Sequence, residues 1–310
     1  MNKRTNRLIN NIFEDANFNI KSDDEVLMEL EKLSIKYKNS SNKEELESEM
    51  KDAEESNNIR LSKKYLSDAL LTQSDDNAIE YAKKAIELDP DNLEAEALLV
   101  EYEEELVNKL SKYNKLIDKV KEKLKELNID LKKNIGFLWE FEESQLLLRL
   151  YYNKIYTLKS LGRYRDVIAL SKEYLALDKE DRMEVKYMLE EAYCFVEEFE
   201  KCKEVYDEFL NKTPLSIFIL SIMYFKKGEY ESSIWYLNKL NDINPFIIKN
   251  LTKTLSSIID DDVIQGENNV INSIYNPKEE ADFTIREVLH LLASTPAFIV
   301  YLRNNFMEEE

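Results

Sequence analysis

Glycine and proline are scarce in this chain, with four of the first and five of the second in 310 residues. An α/β enzyme of this size normally spends many more glycines on the tight turns between its strands and helices, so the shortage argues for helices, which can do without them. Cysteine occurs only as Cys194 and Cys202, and histidine only as His290. Neither a disulfide framework nor a zinc site can be assembled from that set by spacing, and both cysteines read as small buried residues in a reducing cytoplasm. Long apolar runs are missing as well. No stretch approaches the roughly 18 apolar residues that a membrane span needs, and the opening MNKRTNRLINNIFEDANFNI has no uninterrupted apolar core of the signal-peptide kind. A soluble, cytoplasmic protein is expected.

Positive charge is also in deficit. Lysine and arginine number 43 against 62 acidic residues, a formal net charge of −19 spread along the chain. That balance repels phosphate backbones and anionic lipid surfaces, so neither nucleic acid nor membrane is expected as a partner. The acidic runs Asp260–Asp262 and Glu308–Glu310 lack the calcium-loop spacing around Gly266 and read as solvated turn and tail. No metal or cofactor is expected.

What is present is internal repetition, the sequence signature of a helical array. In YLSDALLTQSDDNAIEYAKKAIELDPDN, Ala78, Ala82 and Ala85 share one helix face, where small side chains let two helices approach, and Pro90 follows where it cannot continue the helix. A second copy, LRLYYNKIYTLKSLGRYRDVIALSKEYLALDKED, has Gly162 at the turn and Tyr164 opening the next helix. A third, RMEVKYMLEEAYCFVEEFEKCKEVYDEFLNKTP, has no turn glycine, and a fourth, LSIFILSIMYFKKGEYESSIWYLNKLNDINP, has Gly228, Tyr230 and Pro245. Gly162 to Gly228 and Tyr164 to Tyr230 are each 66 residues apart, about twice the roughly 34-residue repeat of helix-turn-helix arrays.

These features predict an all-α fold, an α-α superhelix with a carboxy-terminal helical cap. Residues 1–58 form an amino-terminal appendage with a short amphipathic pattern at Val26, Leu27, Leu30, Leu33 and Tyr37. The repeats occupy 59–245, with a charged helical insert at about 93–135 whose only candidate turn is Val107 to Ser111. Residues 246–310 close the array, with helices expected over about 246–258, 277–293 and 295–305, the last two opening at NPKEEA and STPAF.

The repeats resemble the tetratricopeptide signature. The order of parts, with AKKAIELDPDNLEAEALLVE, a charged insert, a Gly-x-x-Trp element, further degenerate repeats and a terminal STPAF, is similar to bacterial tetratricopeptide proteins related to the suppressor-of-tumorigenicity-seven family, over about residues 59–305. That family carries a Gly-His-Phe-Trp block followed by Glu-Thr-Arg-Pro-Tyr-Met-Arg. Here Gly136, Trp139, Glu143 and Arg149 match, while Phe137, Leu138, Ser144, Gln145, Leu146 and Leu147 depart from it. The resemblance implies a role in protein interaction and brings no catalytic chemistry.

Two sites are therefore weighed. In GFLWEFEESQLLLRLYY, Glu142 or Glu143 paired with Arg149 could form a polar site, or Trp139 could plug a junction while Glu143 caps the next helix. By repeat register, the face of the first helices carries Arg149, Tyr152, Tyr156 and Lys159, then Tyr187 and Glu191, then Phe218, Ile222 and Phe225. Stacked helix pairs present such a row along a concave groove, and aromatic and arginine side chains are what protein interfaces favour. His290, among leucines, reads as structural. The sequence thus points to a scaffold or adaptor that binds a protein or peptide segment and is not an enzyme. A peptide-responsive regulator without its own DNA-binding domain, or an enzyme of unrecognised type, are the alternatives.

Overall fold

A computed structural model describes residues 43–209, 212–251 and 276–306. The fold is all-α: among the described residues the only extended pairing is an isolated bridge between Phe137 and Asp178. The amphipathic pattern at Val26–Tyr37 and the acidic runs at 260–262 and 308–310 lie outside the described residues. The chain divides into two compact units, Met1–Lys123 and Leu124–Glu310.

In the first unit, α1 (Lys43–Leu71) packs against α2 (Asp75–Leu88), and α2 against α3 (Leu93–Glu101). Helix α1 runs without a break across residue 58, where sequence suggested the end of an appendage. The alanine face does what small side chains allow: Ala78, Ala82 and Ala85 are buried, with Ala82 in a core beside Ala69 and Leu98. Ser62, fully buried on α1, donates to the Ala85 carbonyl at 2.7 Å and accepts from Asn92, whose own side chain caps α3. The insert is not one helix. It breaks at Tyr102–Glu105, earlier than Val107–Ser111, and resumes as α4 (Leu106–Glu126), which spans the boundary between the units. The physical cause is a carboxylate cap: Glu105 accepts from the amides of Val107 and Asn108 at 3.1 and 2.7 Å, which satisfies the free donors of the new helix start.

The second unit is a row of helix pairs. These are α5 (Glu142–Ser160) with α6 (Tyr164–Leu177), α7 (Val185–Phe195) with α8 (Phe199–Glu208), and α9 (Pro214–Lys227) with α10 (Tyr230–Ile243). The first helices also pack on one another, α5 on α7 and α7 on α9. The chain then turns at Asn244, and residues 245–251 are helical. Helices α11 (Pro277–Glu287), α12 (Leu289–Ala293) and α13 (Pro296–Phe306) follow. Asn244 joins these parts, accepting from Phe246 and donating to the Pro277 carbonyl and to Glu280, both at 2.8 Å. The region expected as one helix over 277–293 is two, divided at Val288.

Within each pair the turn has the same geometry. Gly162 and Gly228 adopt φ of 69° and 82°, and in the copy without a glycine Glu197 takes φ 65°. Each donates its amide to the carbonyl three residues back, and the following amide (Arg163, Glu198 or Glu229) reaches five residues back, as in a Schellman turn. The third copy therefore keeps the turn while holding a side chain in the left-handed region.

Candidate functional site

The Gly-x-x-Trp element is a joint. Gly136 has φ 87°, and a Cβ there would meet the aliphatic chain of Lys179 at 2.7 Å. Beyond it, Leu138 is buried and Trp139 half-buried. The Arg182 guanidinium lies 5.9 Å from the Trp139 ring centroid and pairs with Glu140 at 2.6 Å and Asp178 at 3.2 Å. Asp178, fully buried, also accepts from Tyr174 and from the Arg182 amide. These contacts tie the entry of α5 to the loop that follows α6. Glu143 is not the cap: Phe141 occupies that position without a side-chain bond, Glu142 and Glu143 are exposed, and buried Ser144 donates back to the Leu138 and Phe141 carbonyls. In the first turn of the helix, these carboxylates still suit the positive end of the dipole. Arg149, half-buried, lies farther along α5.

The row on the first helices is largely covered. Phe218 and Ile222 are fully buried, and Phe225 is half-buried between Tyr230, Phe298 and Tyr301. Phe298 lies 6.2 Å from Phe218, centroid to centroid. The chain's own carboxy-terminal helix thus occupies what sequence placed on an open face. A hydrophobic core explains the correction: α9 reads PLSIFILSIMYFKK, apolar nearly all round, and such a helix is buried on more than one side. Tyr187 stacks on Phe209 at 4.7 Å. Tyr152 is buried, and of the named aromatics in the row Tyr156 is the exposed one.

The structure brings Lys159 and Glu191 together, sealed from solvent. The Lys159 ammonium is 2.6 Å from Glu191 Oε2 and 3.7 Å from a Glu287 carboxylate oxygen, and it donates to the Glu287 carbonyl at 3.0 Å. Burial pushes this ammonium toward its neutral form, but Glu191 and Glu287 outweigh burial and hold its pKa above the ordinary lysine value. Burial raises Glu191 to about 7 even against the pull of Lys159, and its Oε1 has no partner among the described residues. Glu190, the preceding residue, points to another helix and accepts from Ser216 at 2.7 Å; burial drives its pKa well above the usual carboxylate range. The Tyr164 phenol is raised by burial and by Glu191. His290 is exposed, between exposed Leu289 and buried Leu291, and is pushed down by partial burial and by Lys159. Chemically, the cluster fastens α11 to α5 and α7. Cys194 and Cys202 are both buried, and among the described residues no group of three or more histidine, cysteine or acidic side chains is placed to hold a metal.

A second surface was missed by the repeat register, which looked only at first helices. On α10, Trp235 keeps 57 % of its surface exposed. It meets Tyr236 edge to face at 4.8 Å, Tyr236 stacks on Tyr224 at 5.3 Å, and Tyr206 approaches Tyr236 edge-on at 5.9 Å. Tyr224, Glu231, Ser232, Trp235 and Tyr236 line a shallow cleft of about 300 Å³. The signal lay in YESSIWYLNKL: Leu237 and Leu240 carry the buried face, which leaves Trp235 on the other side.

Among the described residues, no helix is long and apolar enough to cross a membrane. Comparison of the sequence with protein-family models gives no match, and comparison with curated proteins gives none either.

Proposed function

We propose that this chain is a cytoplasmic protein-interaction scaffold, built on tetratricopeptide-like helix pairs, which binds a segment of another protein. One observation carries the reading: a row of packed helix pairs keeps large aromatic side chains in water, Trp235 at 57 %, Tyr230 at 55 % and Tyr156 at 43 % exposure. Tryptophan and tyrosine left exposed on a rigid framework are the side chains that anchor protein interfaces. The anchors differ in part from those expected by register: Tyr156 is kept and Trp235 is added. Phe218 belongs to the core and cannot serve while the carboxy-terminal helices cover it, whereas Tyr156 and Trp235 remain available.

The test is capture from native cell lysate with the wild-type chain, with Tyr156→Ala and with Trp235→Ala, each checked for unchanged helicity. Partners held by the wild type and lost by either variant are expected. Partners held equally by all three chains, or no partner at all, would count against the scaffold reading.

A further inference from the structure

We propose that the cleft at Trp235 receives a cationic side chain of the partner, an arginine for preference, and that the charge of the neighbouring Lys239 opposes it. The inference rests on the scaffold reading and names the chemistry of the segment recognised. The cleft is walled by π surface and has one charged lining residue, Glu231. Trp235 and Tyr236 stand at 85° to each other, so a group entering at their junction meets two differently oriented rings. Aromatic rings carry negative potential on their faces, and a guanidinium, flat and weakly hydrated, both stacks on such a face and offers N–H groups to a carboxylate. A volume of about 300 Å³ has room for an arginine side chain. The chain's net charge of −19 adds a long-range bias toward basic segments.

The protein's own cations show that these rings attract positive charge. The Lys239 ammonium lies 5.4 Å from the Trp235 ring centroid. At the far end of the aromatic row, Lys212 and Lys203 lie 4.3 and 5.3 Å from the Tyr206 ring. Those two are engaged locally: Lys203 pairs with Asp207, and Lys212 donates to the carbonyls of Tyr206 and Phe209. Lys239, one helical turn beyond Trp235, lies over its ring and is not part of the cleft lining, so its charge stands beside the place that an incoming guanidinium would take. Binding therefore proceeds against the charge of Lys239, and removing that charge strengthens binding.

The experiment follows the indole N–H signals of the full ¹⁵N-labelled chain. Its two tryptophans give two such signals, assigned with Trp139→Phe, and Trp139 serves as the internal reference. The probes are three capped peptides, Gly-Ser-X-Ser-Gly, with arginine, norleucine or glutamate at X. Arginine is expected to move the Trp235 signal in a saturable way and leave Trp139 in place, while norleucine and glutamate move neither signal. Relative to wild type, Glu231→Gln weakens arginine binding about threefold, and more at low salt; Lys239→Ala strengthens it about threefold, in line with exposed cation–π contacts. A norleucine response equal to that of arginine, a Trp139 signal that moves in step with Trp235, or no response to any peptide would each overturn the proposal. If arginine fails but Trp235→Ala still loses lysate partners, the cation chemistry falls and the scaffold stands. If capture is indifferent to both Tyr156→Ala and Trp235→Ala and arginine nonetheless binds, the reverse holds.

Discussion

Phe218 and Trp235 belong to the same helix pair, yet Phe218 is fully buried and touches Phe298 of the carboxy-terminal helix, whereas Trp235 keeps 57 % of its surface in water. The first-helix face is closed by the chain itself, through Phe298 and Tyr301 above and Lys159, Glu191 and Glu287 beside them. Among the described residues, the second-helix face has no such cover at Trp235. Aromatic content thus does not distinguish a binding face from a core; what distinguishes them is whether later segments of the chain return to cover it. A row of first helices rich in aromatics invites a reading as a groove, and here it forms the seat of a cap.

Truncating one aromatic on each face separates a closed core from an open surface. Phe218→Ala removes a fully buried ring from a closed core and is expected to lower unfolding free energy by about 4 kcal/mol, whereas Trp235→Ala changes it by less than about 1 kcal/mol. Urea unfolding of the full chain measures both, and equal losses would show that the two faces are not different in kind. The next effect concerns the polar seam. Lys159→Met leaves Glu191 buried without its partner and is expected to cost about 3 kcal/mol, while Lys159→Met with Glu191→Leu recovers most of that loss, because an apolar pair of similar volume avoids burying either charge. A double variant as unstable as the single one would mean that the seam contributes more than mutual neutralisation.

The same seam predicts a dependence on pH. Glu191 titrates at about 7 in the fold, above its ordinary carboxylate value, under burial opposed by Lys159; Glu287 and Tyr164 also act at this place, and His290 lies near Lys159. A raised pKa means that the stability Glu191 contributes is full below its ordinary range near 4.5 and is lost as pH rises through 7. Glu190 and Asp181, also raised by burial, act in the same direction. Lys159, raised, keeps its contribution throughout this window and loses it only above the ordinary lysine range. Glu191→Gln should therefore flatten the decline between pH 5 and 8 relative to wild type, as followed by chemical denaturation at each pH. An identical slope in the variant would place the titrating group elsewhere.

The helices were legible in the sequence because their signals are local. Pro90, Pro245 and the openings at Asn276–Pro277 and Thr295–Pro296 all mark element ends in the fold. Turn position was legible at Gly162 and Gly228, and it was invisible at Glu197, where tertiary packing holds a side chain at φ 65°. The break at Tyr102–Glu105 was missed because Glu105 reads as helix-forming until its carboxylate is seen to accept from two amides. The candidate site was harder still. Periodicity identifies the apolar face of α9, but nothing local tells that a segment some 80 residues later, Phe298, lies against Phe218. Lys159 and Glu191 could be placed on one row by spacing, while their sealing depends on Glu287 and is a long-range fact.

The smallest effect tests how the two faces are held in register, since each turn sets its second helix against its first. Glu197 donates to the Cys194 carbonyl and the next amide to Tyr193, the pattern that Gly162 and Gly228 follow in the flanking pairs. A residue with a Cβ in this conformation is disfavoured by about 1 kcal/mol relative to glycine, because the Cβ crowds the following carbonyl. Glu197→Gly should therefore raise stability by about that amount and shift Tm upward by a few degrees. Gly162→Ala and Gly228→Ala should lower it by a similar amount, since open space around both glycines leaves only the backbone strain. Thermal unfolding of the three variants checks the signs. A destabilised Glu197→Gly would show that the side chain, through its 3.4 Å pairing with Lys226, outweighs the strain of the turn, and the α7–α8 pair would then owe its geometry to a contact between neighbouring pairs and not to the turn itself.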